Sequence, residues 1–153
     1  MTRRVIALMM AGFALTLALG AQAGDRGTPE EAKAMLEKAV AHYKAVGRKQ
    51  ALADFNAKTA PFADRDLYVF CIGPDRLLVA NGGYPAFVGQ PADMFKDANG
   101  QALGKSLIDA AEPGGAGFVQ YPNINPVSHK PELKVSFVHK VGEDVCGVGA
   151  YKG

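Results

Sequence analysis

The side chains of this 153-residue sequence best suited to holding a small anion are a lysine, two tyrosines and an asparagine. Lys134 opens an alternating stretch, residues 133–141. Leu133, Val135, Phe137 and Val141 share one face of it; Lys134, Ser136, Val138 and Lys140 share the other. An ammonium on the mixed face is an anchor for a carboxylate; the alternative is a solvated lysine at a strand end. Tyr121 closes a neighbouring stretch and can donate its hydroxyl to the same anion, or stand as a core-edge tyrosine. Asn81 and Tyr84 lie in the connection expected to roof such a pocket, with residues 81–88 closing its apolar end. Asn81 also suits a turn at Asn81-Gly82.

Other chemistries find little support. His42, His129 and His139 fall on a helix, a loop and a strand, without H-x-H or H-x-x-x-H spacing, so no metal site is expected. His42 is expected on the helix surface. Asp97-Ala98-Asn99-Gly100 resembles a fragment of a calcium loop, yet lacks the remaining oxygen ligands and the closing glutamate, and reads as a turn. No G-x-S-x-G is present, and the only serines are Ser106, Ser128 and Ser136. Glu112, Glu132 and Glu143 sit at element ends and form no acid/base pair. Gly114, Gly115 and Gly117 lead into a strand, whereas a phosphate cradle leads into a helix. The expected class is non-enzymatic and free of cofactors.

The elements that must position these residues are readable in outline. Thr28-Pro29-Glu30-Glu31 is a capping box with proline at the first helical position. Ala32, Leu36, Ala39, Tyr43 and Val46 follow at helical spacing, and Gly47 stops the helix. A second helix is expected over residues 48–56, burying Leu52 and Phe55. Residues 67–72 and 77–81 form a hairpin around Gly73-Pro74-Asp75. Residues 82–100 are a Gly/Pro/Asn-rich connection, and 102–111 a short helix ended by Gly114-Gly115. Strands follow near 117–121, 133–141 and 145–151, with the proline-containing stretch 122–132 as a loop.

Export is expected from residues 1–23. Arg3 and Arg4 precede the uncharged apolar run 5–19, and Ala21-Gln22-Ala23 is a small-residue cleavage site. The run is shorter than the ~20 residues of a membrane span. The alternative is an uncleaved N-terminal anchor. Without Arg3 and Arg4 the domain 24–153 carries equal numbers of acidic and basic residues, which argues against a nucleic-acid partner. Outside the cytoplasm, Cys71 and Cys146 read as a disulfide, with two buried free thiols as the alternative. No C-x-x-C is present for redox chemistry.

Several blocks, in order, resemble the single Cache domain of the second class, the extracellular sensor module of many bacterial receptors. They are Asp66-Leu67-Tyr68-Val69-Phe70, Val88-Gly89-Gln90, Asp97-Ala98-Asn99-Gly100, Gly117-Phe118-Val119-Gln120-Tyr121, Lys134-Val135-Ser136-Phe137-Val138 and Gly147-Val148-Gly149-Ala150-Tyr151. The resemblance runs from Ala32 to Lys152. It implies an α+β, PAS-like fold: a five-stranded antiparallel sheet in spatial order 2-1-5-4-3, with the long N-terminal helix packed on one face. That order sets the first and last strands side by side, which makes a Cys71–Cys146 bridge geometrically reasonable. The resemblance also implies a periplasmic domain that binds small molecules, often short organic acids, on the sheet face away from the long helix. A membrane receptor or kinase is the implied partner. Asn81 stands where members often carry histidine, and the tryptophan often found after the third-strand tyrosine is replaced by Pro122-Asn123-Ile124. No membrane span or output domain is read after Tyr151. The alternative function is an interaction module that forms a homodimer, or docks on a membrane partner, through the long helix.

Overall fold

The computed structural model describes residues 24, 26–111, 115–125 and 128–152. The export signal expected on residues 1–23 lies outside them, as does Gly114. The capping box forms as its sequence demands. The Glu31 amide donates to Thr28 Oγ1 at 3.1 Å, and the Thr28 amide donates to Glu31 Oε2 at 2.8 Å. Helix α1 then runs Pro29–Val46. Gly47, at φ +83°, ends it in a backbone region where a side chain would be strained. Helix α2, Arg48–Asn56, starts at the next residue. The buried residues of α1 (Ala32, Met35, Leu36, Ala39, Val40 and Tyr43) form one stripe. Each large member contributes about 2 kcal/mol by leaving water.

That stripe lies on a mixed-length antiparallel sheet. Strands β1 (Ala63–Asp64), β2 (Leu67–Ile72), β3 (Leu78–Asn81), β4 (Ala116–Ile124), β5 (Pro131–Val141) and β6 (Asp144–Tyr151) make it up. The order is β1-β2-β6-β5-β4, with β3 also paired to β2. Apart from the two-residue β1, this is the order that the resemblance implies. Period-two alternation then sorts side chains between two cores. Leu67, Val69, Cys71, Cys146, Val148 and Ala150 meet α1 and α2. Phe70, Ile72, Val138 and Val145 face the other way, towards the third helix α3 (Gly104–Ala111) and the connection before it.

The disulfide follows from register. Cys71 pairs with Cys146 across β2 and β6, and the two are bonded with their α-carbons 4.0 Å apart. Closing the far end of α1, Asp144 is fully buried and accepts from Tyr43 Oη at 2.7 Å and from Arg48 at 2.9 and 3.0 Å. The ion pair thereby offsets the cost of its own burial with three hydrogen bonds.

Three expectations need correction. The stretch 122–132 is not a loop throughout. Strand β4 continues through Pro122, Asn123 and Ile124, paired with Leu133, Glu132 and Pro131 of β5. Among the described strands β4 pairs only with β5, and an edge strand tolerates proline because it has no second ladder to supply. Leu133 shares the α1 side of β5 but is 43% exposed, since the residues that α1 buries against the sheet lie on β2, β6 and the far part of β5. His42 is not a plain surface residue. Its Nε2 lies 2.7 Å from Asp54 Oδ2, and its ring packs 4.8 Å from that of Phe62.

Candidate ligand-binding site

The sheet face opposite α1 carries an enclosed cavity. Its floor is Tyr68 and Phe70 of β2, Tyr121 and Asn123 of β4, Lys134 and Ser136 of β5, and Gly149 of β6. Its roof is the turn residues Ala92 and Phe95 together with Leu103 and Leu107. The free volume is about 40 Å³, and one water needs ~10–15 Å³. The cavity therefore has room for three or four water-sized groups. Outside it lies a wider vestibule of about 810 Å³, which also reaches Lys58, Arg65, Asp66, Tyr84 and Phe87. Tyr68, Phe95, Lys96, Asn123 and Lys134 line both spaces and so stand at the neck between them; of the two lysines only Lys134 is buried.

The neck exists because β6 carries glycine there. Gly147 and Gly149 face the cavity side. A β-carbon on Gly147 would lie 2.5 Å from the Phe70 ring, and one on Gly149 2.7 Å from Lys134 Cε and 2.6 Å from Ser136 Oγ. The lysine stem thus lies across a glycine slot. Its ammonium ends over two rings, 5.3 Å from the Tyr68 centroid and 4.9 Å from that of Tyr151. Cation–π attraction of this kind stabilises a desolvated cation by about 1–2 kcal/mol. Among the described residues no carboxylate forms an ion pair with Lys134, and its ammonium donates no hydrogen bond. Burial lowers its pKa to about 8, with the Asp66 carboxylate pulling weakly the other way.

The neighbouring hydroxyls are also removed from water. Tyr121 Oη and Ser136 Oγ lie 2.7 Å apart, both buried. Burial raises the Tyr121 pKa, against the Ser136 hydrogen bond, and raises that of Tyr68 strongly. Tyr151 is pushed up to about 12 by burial first. Tyr151 Oη accepts from Asn123 Nδ2 at 3.1 Å and donates to the Ile124 carbonyl at 2.9 Å. These phenols stay protonated at neutral pH; the Tyr151 hydrogen is committed to the Ile124 carbonyl, so Tyr68 and the Tyr121–Ser136 pair are the donors that favour a negative charge at the neck.

Lys134 and Tyr121 come together as directly opposed residues of β5 and β4. Tyr84 lines the vestibule and is 46% exposed, outside the inner cavity. Asn81 lines neither space. Its Oδ1 accepts from the Gly83 and Tyr84 amides at 3.2 and 2.8 Å, so the side chain is spent on the turn beneath the loop, while its buried Nδ2 has no partner among the described residues. The roof over the apolar end is accordingly Ala92, Phe95, Leu103 and Leu107 rather than residues 81–88. The geometry adds Tyr68, Asn123, Ser136, Gly149 and Tyr151. Alternation along residues 67–72 and 145–151 carried the signal for Tyr68, Gly149 and Tyr151. Asn123 was hidden by the proline before it.

Among the described residues no cluster of three or more His, Cys, Asp or Glu side chains could hold a metal. No described helix is long and apolar enough to cross a membrane. The Asp97 carboxylate accepts from the Asn99 and Gln101 amides at 2.8 Å each, as a turn residue does.

Three solved structures share this architecture. A methyl-accepting chemotaxis protein from Vibrio parahaemolyticus is 22% identical, over 80% of this chain and 86% of its own, with a TM-score of 0.62. A periplasmic sensor domain of a chemotaxis protein is 25% identical, covering 81% and 90%, at 0.58. A Cache chemosensory domain studied for carboxylic acid recognition is 21% identical, covering 81% and 88%, at 0.56. No curated protein sequence matches the chain significantly. The family description that does match is single Cache domain 2, over residues 21–151. With that match, the sheet order and the cavity opposite the long helix in agreement, the chain belongs to the single Cache domain family of small-molecule sensor modules.

Proposed function

We propose that this Cache domain is the periplasmic sensor of a short organic acid, whose carboxylate pairs with the Lys134 ammonium at the neck. The observation that carries the reading is a buried ammonium with aromatic neighbours and, among the described residues, no paired anion. An uncompensated buried charge is costly, and a ligand carboxylate would relieve that cost. The Tyr121–Ser136 hydroxyls supply a further donor, and Phe70, Ile72, Leu78 and Leu107 take a short apolar tail. A free volume of about 40 Å³ suits an acid of two to four carbons. Carboxylic acid recognition by a structurally similar Cache domain agrees with this class. Occupancy would then be passed to a membrane receptor or kinase. A thermal-shift and calorimetric series over C2 to C4 acids tests the reading. Stabilisation that disappears in Lys134→Ala is expected; no stabilisation by any acid, or unchanged binding in Lys134→Ala, would overturn it.

A second reading, a homodimer through α1, is favoured by one observation. An apolar groove lies between Leu36 and Val40 of α1 and Phe137 of β5, with Phe118 beside it 58% exposed. Native mass spectrometry decides it: a dimer dispersed by Phe118→Asp supports the interface, and a wild-type monomer at all concentrations removes it.

A further inference from the structure

Lys134 has the surroundings of a lysine nucleophile as well as those of an anion anchor. Its amine is enclosed, flanked by rings, without a carboxylate partner among the described residues, and open to a cavity that admits a molecule of a few atoms. Ser136 Oγ and Lys134 Nζ both come close to one point, the position of a β-carbon on Gly149, at 2.6 and 3.5 Å. The buried Tyr121–Ser136 pair makes one mutual hydrogen bond from two O–H groups. One hydroxyl hydrogen is therefore left over, with no acceptor among the described residues.

We propose that the cavity captures a short 2-oxo acid covalently and reversibly, as an imine on Lys134. The inference rests on the carboxylate reading above and extends it to the ligand's carbonyl. In the step, neutral Nζ adds to the carbonyl carbon, giving a carbinolamine. The C–O bond then breaks, the C=N bond forms, and both amine hydrogens leave on the oxygen as water. The spare hydroxyl hydrogen of the Tyr121–Ser136 pair is passed to the departing oxygen, and the amine's proton returns to the pair. No oxidant, reductant or metal is needed. Once protonated, the imine keeps a positive charge beside the ligand's carboxylate, so the ion pair survives the change. Desolvation is a recognised means of activating a lysine for this chemistry. With its pKa lowered to about 8, roughly a fifth of Lys134 is neutral at pH 7.4, against about one in a thousand for an ordinary lysine. Lys58 in the vestibule, and Lys96, which lines both spaces but is exposed to water, lack such enclosure and serve as internal controls.

The test incubates the intact protein with glyoxylate, the smallest 2-oxo acid, and with cyanoborohydride, which reduces imines to stable amines. Peptide mapping then locates carboxymethyl-lysine. Labelling of Lys134 at least about tenfold above Lys58 and Lys96 is expected, suppressed by excess acetate and lost from that peptide in Lys134→Arg. A thermal-shift measurement with acetate and with glyoxylate runs in parallel. If both acids stabilise the protein and Lys134 is not preferentially labelled, the imine is overturned and the carboxylate reading stands. If neither stabilises it and no label reaches Lys134, both fall.

Discussion

Replacing Lys134 by methionine isolates the cost of the buried ammonium. The residue is 6% exposed, and burial lowers its pKa from 10.5 to about 8. That displacement corresponds to about 3 kcal/mol. Below pH 8 the folded and unfolded chains are both charged, and the folded one bears the full cost. Between pH 8 and 10.5 the folded protein gives up the proton first, so the unfolded chain holds more protons and stability rises with pH. The buried tyrosines act in the opposite sense above pH 10. Burial keeps Tyr43, Tyr68 and Tyr151 protonated in the fold while the unfolded phenols ionise, and stability then falls. The informative window is therefore pH 7–10, with the methionine variant as the reference that shares those tyrosines. Urea unfolding followed by circular dichroism is expected to show the variant more stable by about 3 kcal/mol at pH 7, or roughly 10 °C in Tm. The gap should shrink to about 1 kcal/mol by pH 10 as wild-type Lys134 loses its charge. A gap that stays constant across this range, or a variant less stable than wild type at pH 7, would refute the argument that Lys134 is held desolvated and unpaired.

Three further outcomes are expected. Gly149→Ala places a β-carbon 2.7 Å from Lys134 Cε and 2.6 Å from Ser136 Oγ; it should weaken acid binding about tenfold or more by displacing the ammonium, read by calorimetry. Opening the bridge by Cys71→Ala with Cys146→Ala releases a loop closed over 75 residues, and unfolding measurements should show a loss of about 4 kcal/mol on the chain-entropy account. Asp144→Ala strips the Tyr43 hydroxyl and the Arg48 guanidinium of their buried acceptor, and should cost about 3 kcal/mol in the same assay with acid binding retained.

Much of the scaffold was legible in the sequence because local rules set it. Thr28 and Glu31 cap α1, Gly47 stops it, and alternation along β2 and β5 separates the α1 side from the cavity side. The second helix falls at Arg48–Asn56, as the spacing of Leu52 and Phe55 indicates. Where the reading slipped, a local rule met a tertiary condition. Proline at 122 bars an interior strand, but β4 lies at the edge among the described strands, so β4 runs on and carries Asn123 into the cavity. Of the two roles that the sequence left open for Asn81, the turn claims it rather than the roof. His42 stands on the outer part of α1 in sequence terms, and only the arrival of Asp54 and Phe62 draws it inward.

By itself, the sequence determined the helices, most of the strands and the shared face of Lys134 and Ser136, since capping, periodicity and alternation act over a few residues. It also determined which two cysteines were available to pair. The tertiary structure alone decided that β2 and β6 lie side by side and bring Cys71 onto Cys146. It alone set the Lys134 ammonium over Tyr68 and Tyr151, in a slot left by Gly149. Desolvation and cation–π contact depend on groups that meet from β2, β5 and β6, far apart in the chain. Whether Lys134 is a solvated strand-end lysine or a desolvated one was therefore open until those strands were packed together.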